Sequence, residues 1–113
     1  MSEHILIERK DAVQIIRLNR ADKKNAITRA MYATMAKALV DGDNDDAVRV
    51  HVFLGVPGAF SSGNDMQDFM AAASGGSLGQ EILDFLNALS SAKKPIVSGV
   101  DGLAIGIGTT IHL

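Results

Sequence analysis

The stretch Phe60-Ser61-Ser62-Gly63-Asn64-Asp65-Met66 holds residue types whose spacing suits the stabilisation of a developing negative charge. It follows an apolar run, Val48 to Leu54, and leads into a helix-like run that opens near Asp65. Gly63 has access to backbone angles closed to other residues and lets a ligand come close to the main chain. Asn64 and Asp65 fall where the first free N–H groups of a helix would point outward, a place that favours an oxygen carrying negative charge. A glycine turn alone is equally well a plain connection.

Forty residues on, Lys94-Pro95-Ile96-Val97-Ser98 reads as a buried strand, followed by Gly99-Val100-Asp101-Gly102-Leu103-Ala104-Ile105-Gly106-Ile107-Gly108. The glycines at 102, 106 and 108 predict a second tight turn opening a second helix, with the Ile107 amide near its start. Two such turns can aim two backbone N–H groups at one carbonyl oxygen. A pair of this kind stabilises an enolate or tetrahedral oxyanion as charge develops, and one donor is commonly worth roughly 3 kcal/mol.

The elements that must hold these turns are legible in outline. His4 to Glu8 and Val13 to Leu18 alternate in part, as half-buried strands do, with Lys10-Asp11 as a hairpin turn. Asn19 to Asn25 is a polar loop. Thr28 is a suitable helix N-cap, and Ile27, Met31, Met35 and Leu39 recur at four-residue spacing along one face of a helix running to about Val40. Val48 to Leu54 predicts a strand with Val50, Val52 and Leu54 on one face and His51 on the other. Ser77 with Gln80 resembles a capping box ahead of a helix from about Leu78 to Ala92, whose inner face is Ile82, Phe85, Leu86 and Leu89. No repeat recurs at a fixed period. The order of strand pair, helix, strand, helix implies an α/β class.

Composition bounds the function. A chain of 113 residues, 47% hydrophobic with net charge −2, fits one globular unit and lacks the basic stripe of a nucleic-acid binder. With no cysteine, thiolate and disulfide chemistry are excluded. The N-terminus has no basic region followed by an apolar stretch, and the apolar run from Pro95 to Leu113 is broken by Asp101, His112 and glycines. The expectation is therefore a cytoplasmic protein with no membrane partner. Asp41 to Asp46 invites a calcium reading, but its sixth and twelfth positions are Asp46 and Val52, not glycine and a bidentate acid. His51, a lone histidine on its strand face beside Arg49 and Phe53, reads as packed or solvent-facing rather than catalytic. Gly106 to Ile111 lacks the third glycine of a dinucleotide fingerprint, and no glycine-lysine-Ser/Thr run is present to form a phosphate loop.

Three motifs together carry a resemblance: Lys24-Asn25-Ala26-Ile27, the loop Phe60 to Met66, and Lys94-Pro95 followed by Gly102-x-Ala104-x-Gly106-Ile107-Gly108. In this order and spacing, from about Ile5 to the last residue, the chain resembles the crotonase, or enoyl-CoA hydratase/isomerase, superfamily. The resemblance implies a ββα superhelical spiral, of which residues 1–113 would be the N-terminal part of a single domain, and assembly as a homotrimer or a pair of trimers. It also implies an acyl-CoA thioester substrate with no separate cofactor, since coenzyme A is part of the substrate. Its carbonyl would sit between the backbone amides of Asn64 and Ile107. Lys24, Ala26, Ser62, Gly63, Asn64, Asp65, Met66 and Gly106 would line the acyl-CoA site.

The departures from the family's patterns select among its reactions. The hydratase subgroup has three consecutive glycines followed two residues later by a catalytic glutamate; here the middle glycine is Ile107 and the glutamate position falls on Thr110. Water addition needs two acid/base groups, and a threonine hydroxyl is a poor substitute. A double-bond shift needs one base. The Ser-Gly-Asn-Asp loop with the Gly-Ile-Gly turn resembles the Δ3,Δ2-enoyl-CoA isomerase branch, whose single glutamate lies downstream of both oxyanion segments and is expected beyond Leu113. Asp65, Asp68 and Asp101 are weaker candidates for the base. An inert CoA-binding or oligomer-forming piece is the alternative from another class.

Overall fold

Two strands of opposite direction open the chain because a tight turn at Asp11-Ala12 reverses it, with Asp11 at φ 55°. The computed structural model describes residues 4–23, 25–55, 59–61, 63–65, 67, 68, 70, 79–99, 103 and 104. Strands β1 (Ile5–Lys10) and β2 (Val13–Leu18) pair antiparallel, and β3 (Val50–Leu54) and β5 (Ile96–Gly99) extend the sheet in parallel, in the order β1-β2-β3-β5. Between β3 and β5 in sequence lies β4 (Ala59–Ser61), which leaves this sheet and pairs in parallel with β6 (Leu103–Ala104).

Helix α1 (Arg29–Asp43) follows the expected pattern. Thr28 is its N-cap and accepts a hydrogen bond from the Met31 amide, while Ile27, Met31, Met35 and Leu39 are buried against the sheet. Helix α2 (Gln80–Ser91) packs beside α1. Phe85 is its fully buried anchor, with its ring 5.5 Å from that of Tyr32 and 6.2 Å, edge-on, from that of Phe53. Tilted and edge-to-face aromatic pairs of this kind add about 1 kcal/mol each beyond burial.

Several expectations are corrected. Helix α2 starts at Gln80 with Gly79 as its N-cap at φ 92° and no side-chain cap bond, so Ser77 is not the cap and Gln80 is not the third residue of the helix. Gln80 instead donates to Asp84 one turn on. Among the described residues β5 is an edge strand whose Val97 is 53% exposed, not a buried one. The segments 59–61 and 103–104, read as turn or loop, are short paired strands. Lys24, Ser62, Met66, Asp101, Gly106, Ile107 and Thr110 lie outside the described residues.

The sheet face beneath the C-terminal end of α1 holds a polar cluster inside an otherwise apolar core. His51 is fully buried, which decides between the packed and solvent-facing readings in favour of the first. Gln14 Nε2 donates to the Ala38 carbonyl at 2.9 Å and lies 3.1 Å from His51 Nδ1, which must therefore accept. The imidazole is thus the neutral form carrying its proton on Nε2, and it donates to Asp43 Oδ1 at 3.0 Å. Asp43 Oδ2 accepts from the Lys93 amide, and Lys94 Nζ donates to the carbonyls of Gly42 and Asp45. The Gly42 and Asp45 carbonyls also accept from the Asp45 and Val48 amides, so Lys94 adds a charged donor to a helix end whose chain is already turned back on itself. The acidic run read as a solvated turn is in fact partly engaged: Asp41 pairs with Lys37 and Asp45 with Arg9.

Candidate active site

The loop at 63–65 is positioned by a parallel bridge to the start of α1. Ile27 and Asn64 are bridge partners: the Ile27 amide donates to the Gly63 carbonyl at 2.7 Å, and the Asp65 amide donates to the Ile27 carbonyl at 2.8 Å. In a parallel bridge made this way, the central residue's own N–H and C=O face the opposite side. The Asn64 amide therefore points away from α1, and none of the described residues accepts a hydrogen bond from it. Gly63, buried and at φ 92°, makes the bend that side-chain-bearing residues rarely adopt.

Strand β6, the described part of the second motif, pairs with β4 just ahead of the loop. The register pairs Ser61 with Ala104, so two parallel chains leave the pair in the same direction. Asn64 stands three residues beyond Ser61, and Ile107 three beyond Ala104. Ile107 itself lies outside the described residues.

Side chains fasten the loop from several directions. Tyr32, buried on α1, donates its hydroxyl to Asn64 Oδ1, and burial pushes its pKa up, which keeps it a donor. Ser61 Oγ donates to the Asn25 carbonyl at 3.0 Å and accepts from the Gly63 amide at 3.1 Å. Arg20 Nη1 donates both to the Ala26 carbonyl at 3.0 Å and to Asp65 Oδ2 at 2.6 Å. Asn25, buried at φ 56°, exchanges bonds with the Arg20 backbone: its amide donates to the Arg20 carbonyl, and its Oδ1 accepts from the Arg20 amide. Asparagine tolerates this left-handed conformation better than most residues.

Of the three carboxylates weighed as bases, Asp65 and Asp68 are spent on protein groups, and Asp101 lies outside the described residues. Asp65 Oδ1 accepts from the Asp68 amide at 2.9 Å, which makes Asp65 a cap for the helical residues Gln67 and Asp68. Asp68 Oδ2 accepts from the Arg29 amide and side chain, capping α1 from outside. The Asp68 amide first, and then Arg20, hold the Asp65 carboxyl below its ordinary pKa. A depressed folded pKa contributes stability that is present above the unfolded value and is lost as pH falls through the folded one. The stability gap between the wild type and Asp65→Asn is therefore expected to be full at pH 7 and to shrink below about pH 4. Urea unfolding midpoints measured against pH check this.

Sequence reasoning missed Arg20, Tyr32 and Ser61 as site-building residues. An arginine beside the loop was the visible signal, but its partner lies forty-five positions away. Among the described residues no group of three or more His, Asp or Glu side chains is placed to hold a metal ion. An open cleft of about 570 Å³ between the β1–β2 hairpin and α1, lined in part by Ile7, Gln14 and Lys37, lies apart from this loop.

Residues 8–113 match the family model described as enoyl-CoA hydratase/isomerase. The chain is 37% identical over 115 residues to enoyl-CoA delta isomerase 2 of Rattus norvegicus, covering 97% of this chain and 29% of that protein. It is 31% identical over 115 residues to a probable peroxisomal enoyl-CoA hydratase 1 of Arabidopsis thaliana, covering 100% of this chain and 43% of that protein. The solved structure of OdaA from Pseudomonas aeruginosa superposes with a TM-score of 0.90 at 45% identity, over 97% of this chain and 44% of that one. The chain thus spans less than half the length of these relatives. Its architecture is the α/β crotonase fold expected from the motifs. The 113 residues, with a glycine-bent loop whose Asn64 amide faces outward, belong to the enoyl-CoA hydratase/isomerase family of crotonases.

Proposed function

We propose that the whole protein carrying these residues shifts the double bond of a 3-enoyl-CoA to the 2-position. The thioester carbonyl would accept hydrogen bonds from the Asn64 and Ile107 amides. A base takes a proton from C2, the electron pair moves onto the carbonyl oxygen as an enolate, and the same base returns the proton to C4 as the double bond settles between C2 and C3. The observation that carries this reading is the direction of the Asn64 N–H, turned outward because its neighbours make the bridge to Ile27. A backbone donor aimed at the developing oxyanion is commonly worth roughly 3 kcal/mol.

Asp65 and Asp68 are engaged by protein amides and arginines, which supports a base from elsewhere in the whole protein, outside residues 1–113. Lys24, Ala26, Ser62, Gly63, Asp65, Met66 and Gly106 would line the acyl-CoA site. Asp65 would do so through its backbone, since both of its carboxylate oxygens are engaged. No cofactor beyond the substrate's own coenzyme A enters this reading. Among the described residues no helix is long and apolar enough to cross a membrane. The proposed assembly is a homotrimer or a pair of trimers in the cytoplasm.

The test is product analysis with the whole protein. Conversion of 3-enoyl-CoA to 2-enoyl-CoA of unchanged mass is the expected outcome. Conversion of 2-enoyl-CoA to a product heavier by one water, with no double-bond migration, would replace this reading with a hydratase.

A further inference from the structure

The proposed reaction leaves one partly buried charge without a task. Arg20 is only 15% exposed and its partner Asp65 13%, yet Arg20 lies far along the chain from the loop it grips. Nη1 makes two bonds at once, one to each segment of the candidate site: the Ala26 carbonyl, in the Lys24 to Ala26 segment that would line the acyl-CoA site, and the Asp65 carboxylate next to the oxyanion donor. Each Nη carries two N–H groups, so a single nitrogen can serve both acceptors. The main chain of Arg20 is tied to Asn25 by two further bonds, which fix the base of the side chain to the same stretch. Asp65, in turn, is fixed by its amide to Ile27 and by its carboxylate to the Asp68 amide.

A shift of the 25–26 segment would therefore be transmitted through a planar guanidinium to the residue adjoining the Asn64 amide. Lysine, a point charge on a flexible stem, would not hold both acceptors in a fixed relation. We propose that Arg20 is a positioning residue that couples binding of coenzyme A at Ala26, in the Lys24 to Ala26 segment that the family resemblance gives to the acyl-CoA site, to the placement of the Asn64 oxyanion donor. The nucleotide end of the substrate would then contribute to turnover as well as to binding. Remote binding energy used at the reacting carbon in this way appears as lost kcat when the remote part is removed.

This inference rests on the acyl-CoA isomerase reading, and its test separates the two. With the whole protein, kcat is measured at saturation for a 3-enoyl-CoA and for the matching 3-enoyl-pantetheine thioester, which lacks the nucleotide. The wild type is expected to favour the CoA thioester in kcat by about tenfold or more, within the usual range of coupling between sites. Arg20→Gln is expected to bring that ratio close to one, and Arg20→Lys to leave it in between. Asp65→Asn keeps an oxygen for the Asp68 amide but gives up the charge that Arg20 grips, so it should lower the ratio even if Arg20→Gln does not fold. A residue needed only for folding would lower both rates by the same factor. A wild-type ratio near one, or a ratio preserved in folded Arg20→Gln and Asp65→Asn proteins, would overturn the coupling alone. No turnover of either thioester by the wild type would overturn the isomerase reading and the coupling with it.

Discussion

Asn64→Pro is expected to lower kcat by about 10²–10³-fold while leaving the protein folded, because it deletes one oxyanion donor and, beyond that, only the side-chain bond from Tyr32 that Asn64→Ala removes as well. The bonds that hold the loop to α1 come from the Ile27 amide to the Gly63 carbonyl and from the Asp65 amide to the Ile27 carbonyl. Neither uses the Asn64 N–H, so proline, which lacks that group, removes no loop bond through its nitrogen. Asn64→Ala is the control. It keeps the amide but gives up the hydrogen bond from Tyr32 to Asn64 Oδ1, so it should cost about 1 kcal/mol of stability and less than about tenfold in kcat. Steady-state kinetics and thermal melts of the two variants check the pair. Equal effects of proline and alanine on kcat would mean that the side chain, and not the amide, is what matters.

Gly42→Ala is expected to destabilise the protein by about 2 kcal/mol, although alanine is the better helix former by about 1 kcal/mol. Gly42 lies near the end of α1 directly over the polar cluster. A Cβ there would lie 2.6 Å from Gln14 Nε2 and 2.7 Å from His51 Cε1. Neither neighbour is free to swing aside. Gln14 is bonded to the Ala38 carbonyl and to His51, and His51 is clamped between Gln14 and Asp43 with no exposed surface. Relief requires giving up at least one of these buried bonds or moving the helix end away from Lys94, and overpacking of this kind commonly costs about 1–3 kcal/mol before the polar loss is added. Denaturant unfolding of the whole protein measures it. A variant as stable as the wild type would mean that the cluster is loosely held.

What was legible in the sequence was whatever repeats along one element. The Met31, Met35 and Leu39 stripe, the Thr28 cap and the strand carrying His51 follow from side chains three or four residues apart or in alternation, and each is found as read. The loop at 63–65 was legible as well, because a glycine bend between a strand and a helix is written in consecutive residues. The ties that give the loop its shape were not. Arg20 with Asp65, Tyr32 with Asn64 and Ser61 with Asn25 each join residues more than thirty positions apart, and no local pattern marks them. Strands of three and two residues, such as β4 and β6, are too short for alternation to show. Ser77 misled because a Ser followed by Gln at the right interval satisfies the capping pattern, while the chain begins its helix later, at the glycine. For His51 the sequence leaves packed and solvent-facing open, because its Gln14 and Asp43 partners come from two other elements and become visible only in the fold.

The claim on which the account rests is that the Asn64 amide polarises a thioester carbonyl. The most direct measurement is the carbonyl stretching frequency of a bound, unreactive acyl-CoA thioester, recorded as a vibrational difference spectrum with the whole protein and with its Asn64→Pro variant. The account predicts a shift to lower frequency on binding to the wild type and a clearly smaller shift in the variant, with the ligand still bound. The same shift in both proteins, or none in the wild type, would contradict it.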